Sequence, residues 1–215
     1  MSKKVLITWG GWAGHEPEQT SNLMAEVLKE EGYEIEITDS LDCLEDEEHL
    51  KTKDLIIPCW TMSELPGKLS RNLRNAVKAG TGIAGWHGGM GDSFRVDTEY
   101  QFMVGGQFIC HPGGIIDYTV NIKDSSDPIT AGIKDFSIKS EQYYMHVDPS
   151  NEVLATTAFN ADHLDWIDGC IMPVVWKRKF GVGKVFYSAL GHVASDFEIP
   201  EAKEIMKRGC IWAAR

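Results

Sequence analysis

The sequence predicts an α/β chain built on a mainly parallel sheet, and three observations predict it. Strand-like and helix-like runs alternate through three consecutive units between residues 5 and 86, the order that yields parallel strands joined by right-handed crossovers. Runs such as Val5-Leu6-Ile7 and Leu55-Ile56-Ile57 are apolar on successive residues, as strands covered on both faces are. Gly32 and Gly80 follow helical patterns, and Gly88-Gly89 follows a strand-like run, where a chain stops or reverses.

Residues 5–9 read as the first strand and Gly10-Gly11-Trp12-Ala13-Gly14-His15-Glu16 as a loop. Pro17 suits a first helical turn, and Leu23, Met24, Val27 and Leu28 share one face until Gly32. Residues 33–38 alternate apolar and polar positions, a second strand. Residues 44–52 are acidic and predict only a short helix. Residues 54–60 form a third strand whose Pro58 should mark its end, because proline cannot donate into a central ladder. Leu65, Leu69, Leu73 and Val77 step by four residues toward Gly80, a helix. Residues 82–86 are the fourth strand, and Gly88, Gly89 and Gly91 then force a turn, glycine being tolerant of positive φ and close approach.

Residues 97–104 read as a helix, 107–114 break the alternation, and 115–122 read as a strand. Asp127-Pro128-Ile129-Thr130-Ala131-Gly132 predicts a turn with a short helical piece, and residues 141–149 are polar and aromatic in a site-like way. Residues 153–159, 172–176 and 184–188 are further strands, the last preceded by the hairpin signal Phe180-Gly181-Val182-Gly183. A closing helix from Pro200 carries Ala202, Ile205, Met206 and Trp212 on one face. With 215 residues, 43% of them hydrophobic, and no linker in view, one domain spanning 1–215 is expected.

A net charge of −11 without a basic stripe argues against nucleic acid or an anionic membrane as partner. The N-terminus runs directly into a strand, too short an apolar run for a signal peptide, and no segment approaches the ~20 apolar residues of a membrane helix. A soluble cytoplasmic protein is the expectation. The five cysteines are odd in number and contain no Cys-x-x-Cys pair, so reduced thiols are expected rather than a disulfide framework or thiolate zinc site. Neither Gly-x-Gly-x-x-Gly nor Gly-Lys-Ser/Thr occurs at the glycine clusters, so no nucleotide cofactor is expected.

In open α/β sheets the carboxyl ends of the strands face the ligand crevice, which directs attention to His87. Of seven histidines, His49 and His163 fall in polar surface stretches, whereas His15, His87, His111 and His192 follow apolar runs or glycines at strand ends or loops. Imidazole there serves as base, as donor to a sugar hydroxyl, or as ligand to zinc or another divalent metal, and spacing does not choose. A metal site of His15, His87 and His192 would be assembled from distant loops, since no His-x-x-x-His pair exists. Asp92 and Glu141 are carboxylates that could orient a histidine or move protons, although Asp92 also suits the cap of the next helix. Trp12, Trp86, Trp176, Tyr143 and His111 are candidates to bind substrate, core packing being the other reading of the tryptophans.

Gly85-Trp86-His87-Gly88-Gly89, Val104-Gly105-Gly106-Gln107-Phe108 with His111-Pro112, Asp127-Pro128-Ile129-Thr130-Ala131-Gly132, Glu141-Gln142-Tyr143, and Gly183-Lys184-Val185-Phe186-Tyr187-Ser188-Ala189-Leu190-Gly191-His192 together resemble the ThuA-like family, named for trehalose utilisation. The likeness runs in order along nearly the whole chain. It implies a class I glutamine amidotransferase-like fold, a flavodoxin-like three-layer α/β sandwich with extra antiparallel strands, and a link to sugar catabolism. In true amidotransferases the turn after the equivalent strand carries a nucleophilic cysteine paired with a late histidine. Here Trp86-His87 stands at that elbow and His192 near the partner position, so the resemblance implies a base without its nucleophile and no glutaminase chemistry. Cys59 and Cys110 are the displaced-nucleophile candidates; a nucleophile needs an adjacent base and a strained, exposed turn, and only Cys110, beside His111, has even a sequence neighbour of that type.

The leading expectation is a carbohydrate enzyme acting on a sugar or keto-sugar derivative. His87 and His192 are central in it, Asp92 assists, and His15, His111 and Glu141 are supporting groups or ligands to a divalent metal. Bases without a nucleophile suit proton transfer beside a carbonyl. The alternative is a non-catalytic sugar-binding or regulatory protein on the same scaffold. Edge strands and aromatic content permit a homo-oligomer.

Overall fold

Nine strands join in one sheet in the computed structural model, which describes residues 2–215. The first half is laid down by β1 (Lys4–Gly11), α1 (Pro17–Glu30), β2 (Glu34–Thr38), α2 (Glu47–Lys51), β3 (Leu55–Thr61), α3 (Gly67–Lys78) and β4 (Gly82–Trp86). All four strands are parallel. There follow α4 (His87–Gly91), α5 (Thr98–Val104), β5 (Gly106–Cys110), β6 (Ile115–Ile122), β7 (Phe136–Glu141), β8 (Tyr144–Val147), β9 (Glu152–Ala158), β10 (Ile171–Phe180), β11 (Gly183–Ser188) and α6 (Pro200–Ala213). The sheet order is β2-β1-β3-β4-β11-β10-β9-β6-β7, with β5 and β8 pairing apart from it.

β11 is parallel to β4, whereas β10, β9, β6 and β7 each run antiparallel to the strand before them in that order. The parallel half is covered by helices on both sides, α1 and α6 packing together and α3 packing with α2 and α5. Burial follows from that: Val5, Leu6 and Ile7 are all inaccessible to water, so both faces of β1 bury apolar side chains, each contributing about 1.5–3 kcal/mol. The two halves meet where β10 pairs with β11, and there Trp176 lies against Tyr187 with ring centroids 4.3 Å apart.

Away from the site, the structure departs from the sequence expectation in four places. Pro58 lies inside β3 rather than at its end, opposite Thr8 of β1. Pairing of β3 with β4 stops at Ile56, so one edge of β3 is free of a ladder there and a residue without an N–H is tolerated. Residues 136–141 form a strand that the sequence hides, because the inward position after Ile138 is the polar Ser140. Residues 106–110 are a strand where only a break in the alternation was expected. Residues 127–132 form turns without a helix, and Asp127 binds the Ile129 amide and the Lys177 ammonium. Among the described residues no helix is long and apolar enough to cross a membrane.

A buried histidine and glutamate cluster

β4 and β11 are parallel neighbours in register from Ile83↔Val185 to Trp86↔Ser188, so the residues that follow them emerge side by side. His87 is the first residue after β4 and His192 follows β11 by four positions; their ring centroids lie 5.2 Å apart. His15 ends a single tight turn, Ala13–His15, after β1, and its ring lies 4.8 Å from that of His87 and 5.2 Å from that of His192. Glu141 reaches the same place from the antiparallel half, as the last residue of β7.

The elbow at residue 87 is built differently from the glycine turn the sequence suggests. Gly88, Gly89 and Gly91 belong to α4, and it is His87 itself that takes a left-handed backbone, φ 43°. A non-glycine residue held there costs on the order of 1–3 kcal/mol, strain that surrounding packing must hold. The glycines are needed for close approach instead. A Cβ on Gly88 would stand 2.5 Å from His15 Cε1, and one on Gly91 would stand 2.3 Å from the Tyr187 hydroxyl.

Hydrogen bonds fix the orientation of two rings. His87 Nδ1 donates to the Ala189 carbonyl at 2.8 Å, and His15 Nδ1 shares a 2.8 Å bond with the Thr61 hydroxyl. Their Nε2 atoms therefore face Glu141 Oε2, at 3.0 Å for His87 and 3.8 Å for His15. His192 and His111 each bring Nε2 to 3.6 Å from the other carboxylate oxygen, Oε1. One ligand atom from each of His15, His87, Glu141 and His192 falls within 4.8 Å of all the others, and all four residues are buried. His111 is the open member, with 40% of its side chain exposed against 1% for His87. Tyr143 stacks on His87 at 3.9 Å and walls the cluster beside Phe108.

Burial pushes the His87 imidazole down to about 4, against a smaller upward pull from Glu141. Burial also lowers His192. For Glu141 burial pulls the carboxyl upward, but the surrounding imidazoles of His15, His87 and His192 outweigh it and hold the carboxyl well below the usual range. A neutral His87 with its Nδ1 proton committed to a carbonyl turns an Nε2 lone pair onto an ionised oxygen 3.0 Å away. Two such atoms repel unless a proton or a cation lies between them. The cluster of three imidazoles and a carboxylate could hold a metal ion.

Several residues singled out from sequence lie elsewhere. Asp92 does not orient a histidine: its carboxylate binds Arg95 at 2.6 and 2.7 Å and accepts from the Gln107 amide. Nor does it cap the next helix, a role taken by Asp97. Trp176 is fully buried, its indole donating to the Val104 carbonyl, and Trp86 is buried edge-on against Phe197. Both pack the core instead of meeting a substrate. Trp12 is half-exposed and stands edge-on to His15 at 4.7 Å. Cys59 lies behind the elbow, its thiol pushed up to about 11 by burial, and burial also raises Cys110. Thr61, Ser140, Glu16 and Asp196, which brace the cluster, carried no signal in the sequence, since a brace is defined by a fold contact and not by spacing.

A family model described as trehalose utilisation, ThuA, matches residues 4–213. The chain belongs to the ThuA family. Among solved structures, a ThuA-like protein from Bacteroides uniformis superposes with a TM-score of 0.81 at 18% identity, over 98% of this chain and 91% of that one. A ThuA-like protein from Parabacteroides merdae gives 0.77 at 16% identity, over 99% and 90%. A β-galactosidase from Bacillus circulans sp. alkalophilus gives 0.64 at 15% identity, with 98% of the ThuA chain matched to 30% of the larger protein. At these identities the likeness is one of fold, the flavodoxin-like α/β sandwich. No curated protein sequence matches the chain.

Proposed function

We propose that this ThuA-family chain is an enzyme of carbohydrate metabolism that acts on a sugar or keto-sugar derivative, with His15, His87, His192 and Glu141 holding one zinc ion. The observation that carries the reading is the 3.0 Å contact between His87 Nε2 and Glu141 Oε2, with two further imidazoles turned on the same carboxylate. Three nitrogens and one oxygen in a buried recess suit zinc. The Nδ1 atoms of His15 and His87 are tied to Thr61 and Ala189, the outer bonds that orient ligating imidazoles. A zinc ion held by these four residues would supply Lewis acidity to a carbonyl or hydroxyl of the sugar by expanding to take that oxygen as a fifth ligand.

The chain's own groups then divide the work. Glu141, which three imidazoles of the cluster face, would balance the charge of the ion. His87, 1% exposed, holds instead of exchanging protons with a substrate, which departs from the central role its sequence position suggests. His111, on the open side, is the imidazole that meets a sugar entering beside Phe108 and Tyr143. It would accept a proton from the carbon next to a carbonyl and return one to the neighbouring position.

The test is elemental analysis of protein purified without an affinity tag, together with turnover on a panel of keto-sugars. One zinc per chain is expected, and Glu141→Gln should lose the zinc and with it turnover while the fold persists. Absence of bound metal, or wild-type protein inert across the panel, would count against the reading. His87→Ala with ligand affinity kept and turnover lost separates an enzyme from a sugar-binding protein.

A further inference from the structure

The segment 189–196 touches every other part of the cluster. Its Ala189 carbonyl accepts from His87 Nδ1 at 2.8 Å, and His192 is itself a member. Its Ala194 amide donates to Glu16 Oε2 at 3.0 Å, and Glu16 follows His15 directly. Its Asp196 accepts at a single oxygen, Oδ2, from the Ser140 hydroxyl at 2.6 Å and from the His192 amide at 2.9 Å, and Ser140 directly precedes Glu141.

These contacts join elements that are far apart in the chain, as His15, Glu141 and His192 are. Asp196 is 6% exposed and Ser140 2%, and among the described residues no lysine or arginine pairs with Asp196. A buried carboxylate without a cationic side chain is costly to keep unless it is hydrogen-bonded, and both of its bonds go to the cluster's own supports. Glu16 is likewise held at an unfavourable backbone angle, φ 45°. The turn between them is tight: Gly191 sits at φ 96°, and a Cβ there would stand 2.6 Å from Phe197 Cζ and 3.1 Å from Trp86 Cδ1.

We infer that Asp196 and Glu16 are positioning residues that clamp the 189–196 segment to the supports of Glu141 and His15, and so set the distances at which the cluster meets a metal ion. The inference deepens the metal-binding reading and rests on it. Neither carboxylate is needed as a ligand. Asp196 acts through Ser140 and the His192 backbone, and Glu16 through Ala194.

The experiment is cobalt titration of the chelator-stripped full chain, followed by visible absorption, with thermal unfolding of the metal-free proteins alongside. Wild type is expected to bind one cobalt with the absorption of a low-symmetry nitrogen and oxygen site. Asp196→Ala and Glu16→Ala should each weaken binding 10- to 100-fold, the range for lost outer bonds, and alter the band shape. Ser140→Ala should weaken it less, and Asp196→Asn, which keeps an acceptor oxygen, should recover most of the affinity. If Asp196→Ala does not fold, Asp196→Asn and Ser140→Ala carry the comparison. Variants that melt lower yet bind cobalt with wild-type affinity and spectrum would show a structural role only and overturn the inference. Wild type that takes up no cobalt would overturn the metal reading and this inference with it, a result distinct from normal wild-type binding with unaffected variants.

Discussion

The two halves of the sheet contribute to the cluster in different ways. The parallel half, β2-β1-β3-β4-β11, delivers three imidazoles from turns at the carboxyl ends of its strands, two residues there, Glu16 and His87, holding left-handed backbones. The antiparallel half, β10-β9-β6-β7, delivers one carboxylate from a strand end, and the adjoining segments of the same chain, β5 and the link from β7 to β8, bring the aromatic wall of Phe108 and Tyr143. The first half offers lone pairs and the second places a negative charge beside them, a set that could hold a metal ion. A parallel sheet alone would present the histidines without the group that binds them together.

The largest expected effect lies at the seam between the halves. Trp176→Ala on β10 removes a fully buried indole that faces Tyr187 on β11 and bonds to Val104, and it should cost about 3–5 kcal/mol. Chemical denaturation should still show one transition. A split into two would mean that the halves fold separately, and a cost near zero would mean that they are not joined through this residue.

Next comes the elbow. Gly88→Ala places a Cβ 2.5 Å from His15 Cε1 and 2.7 Å from Nδ1, overpacking that should cost about 1–3 kcal/mol and displace one imidazole. Denaturation together with cobalt titration should therefore show both lowered stability and weakened binding. Binding left intact would show that His15 is dispensable to the cluster. Thr61→Val is a milder break, removing the partner of His15 Nδ1. Cobalt affinity should fall by roughly 10-fold or more with little loss of stability.

The smallest effect is an absence of reaction. The Cys59 thiol, with its pKa pushed up to about 11 by burial, stays protonated below that pH, so at pH 8 only about one molecule in a thousand carries a thiolate. Iodoacetamide should leave Cys59 unmodified in the native protein, as mass spectrometry would show. Rapid labelling at Cys59 would revive it as a nucleophile behind the elbow.

What could be read from sequence follows the same division. The parallel half writes its structure into local patterns: Leu69, Leu73 and Val77 lie on α3, with Leu65 just ahead of it, and the apolar run 82–86 ends at the elbow. Pro58 misleads because whether a missing N–H matters depends on which edge of β3 is paired, a fact held by β4. The antiparallel half is less legible. β7 reads as polar because its inward Ser140 is satisfied by Asp196, which lies 56 residues away. Glu141 is a candidate through its polar, aromatic surroundings and is expected to act with the four imidazoles, but the distances at which it meets them are set by the fold and not by spacing. Asp92 attracts attention by following a glycine cluster, yet Arg95, three residues on, claims it.

The most direct measurement is zinc-edge X-ray absorption on the stripped and reloaded chain. Three imidazole nitrogens and one carboxylate oxygen are expected at about 2.0–2.2 Å, with no sulfur, together with loss of the bound zinc in Glu141→Ala. A sulfur shell, or zinc retained unchanged when Glu141 is removed, would contradict the proposed zinc site.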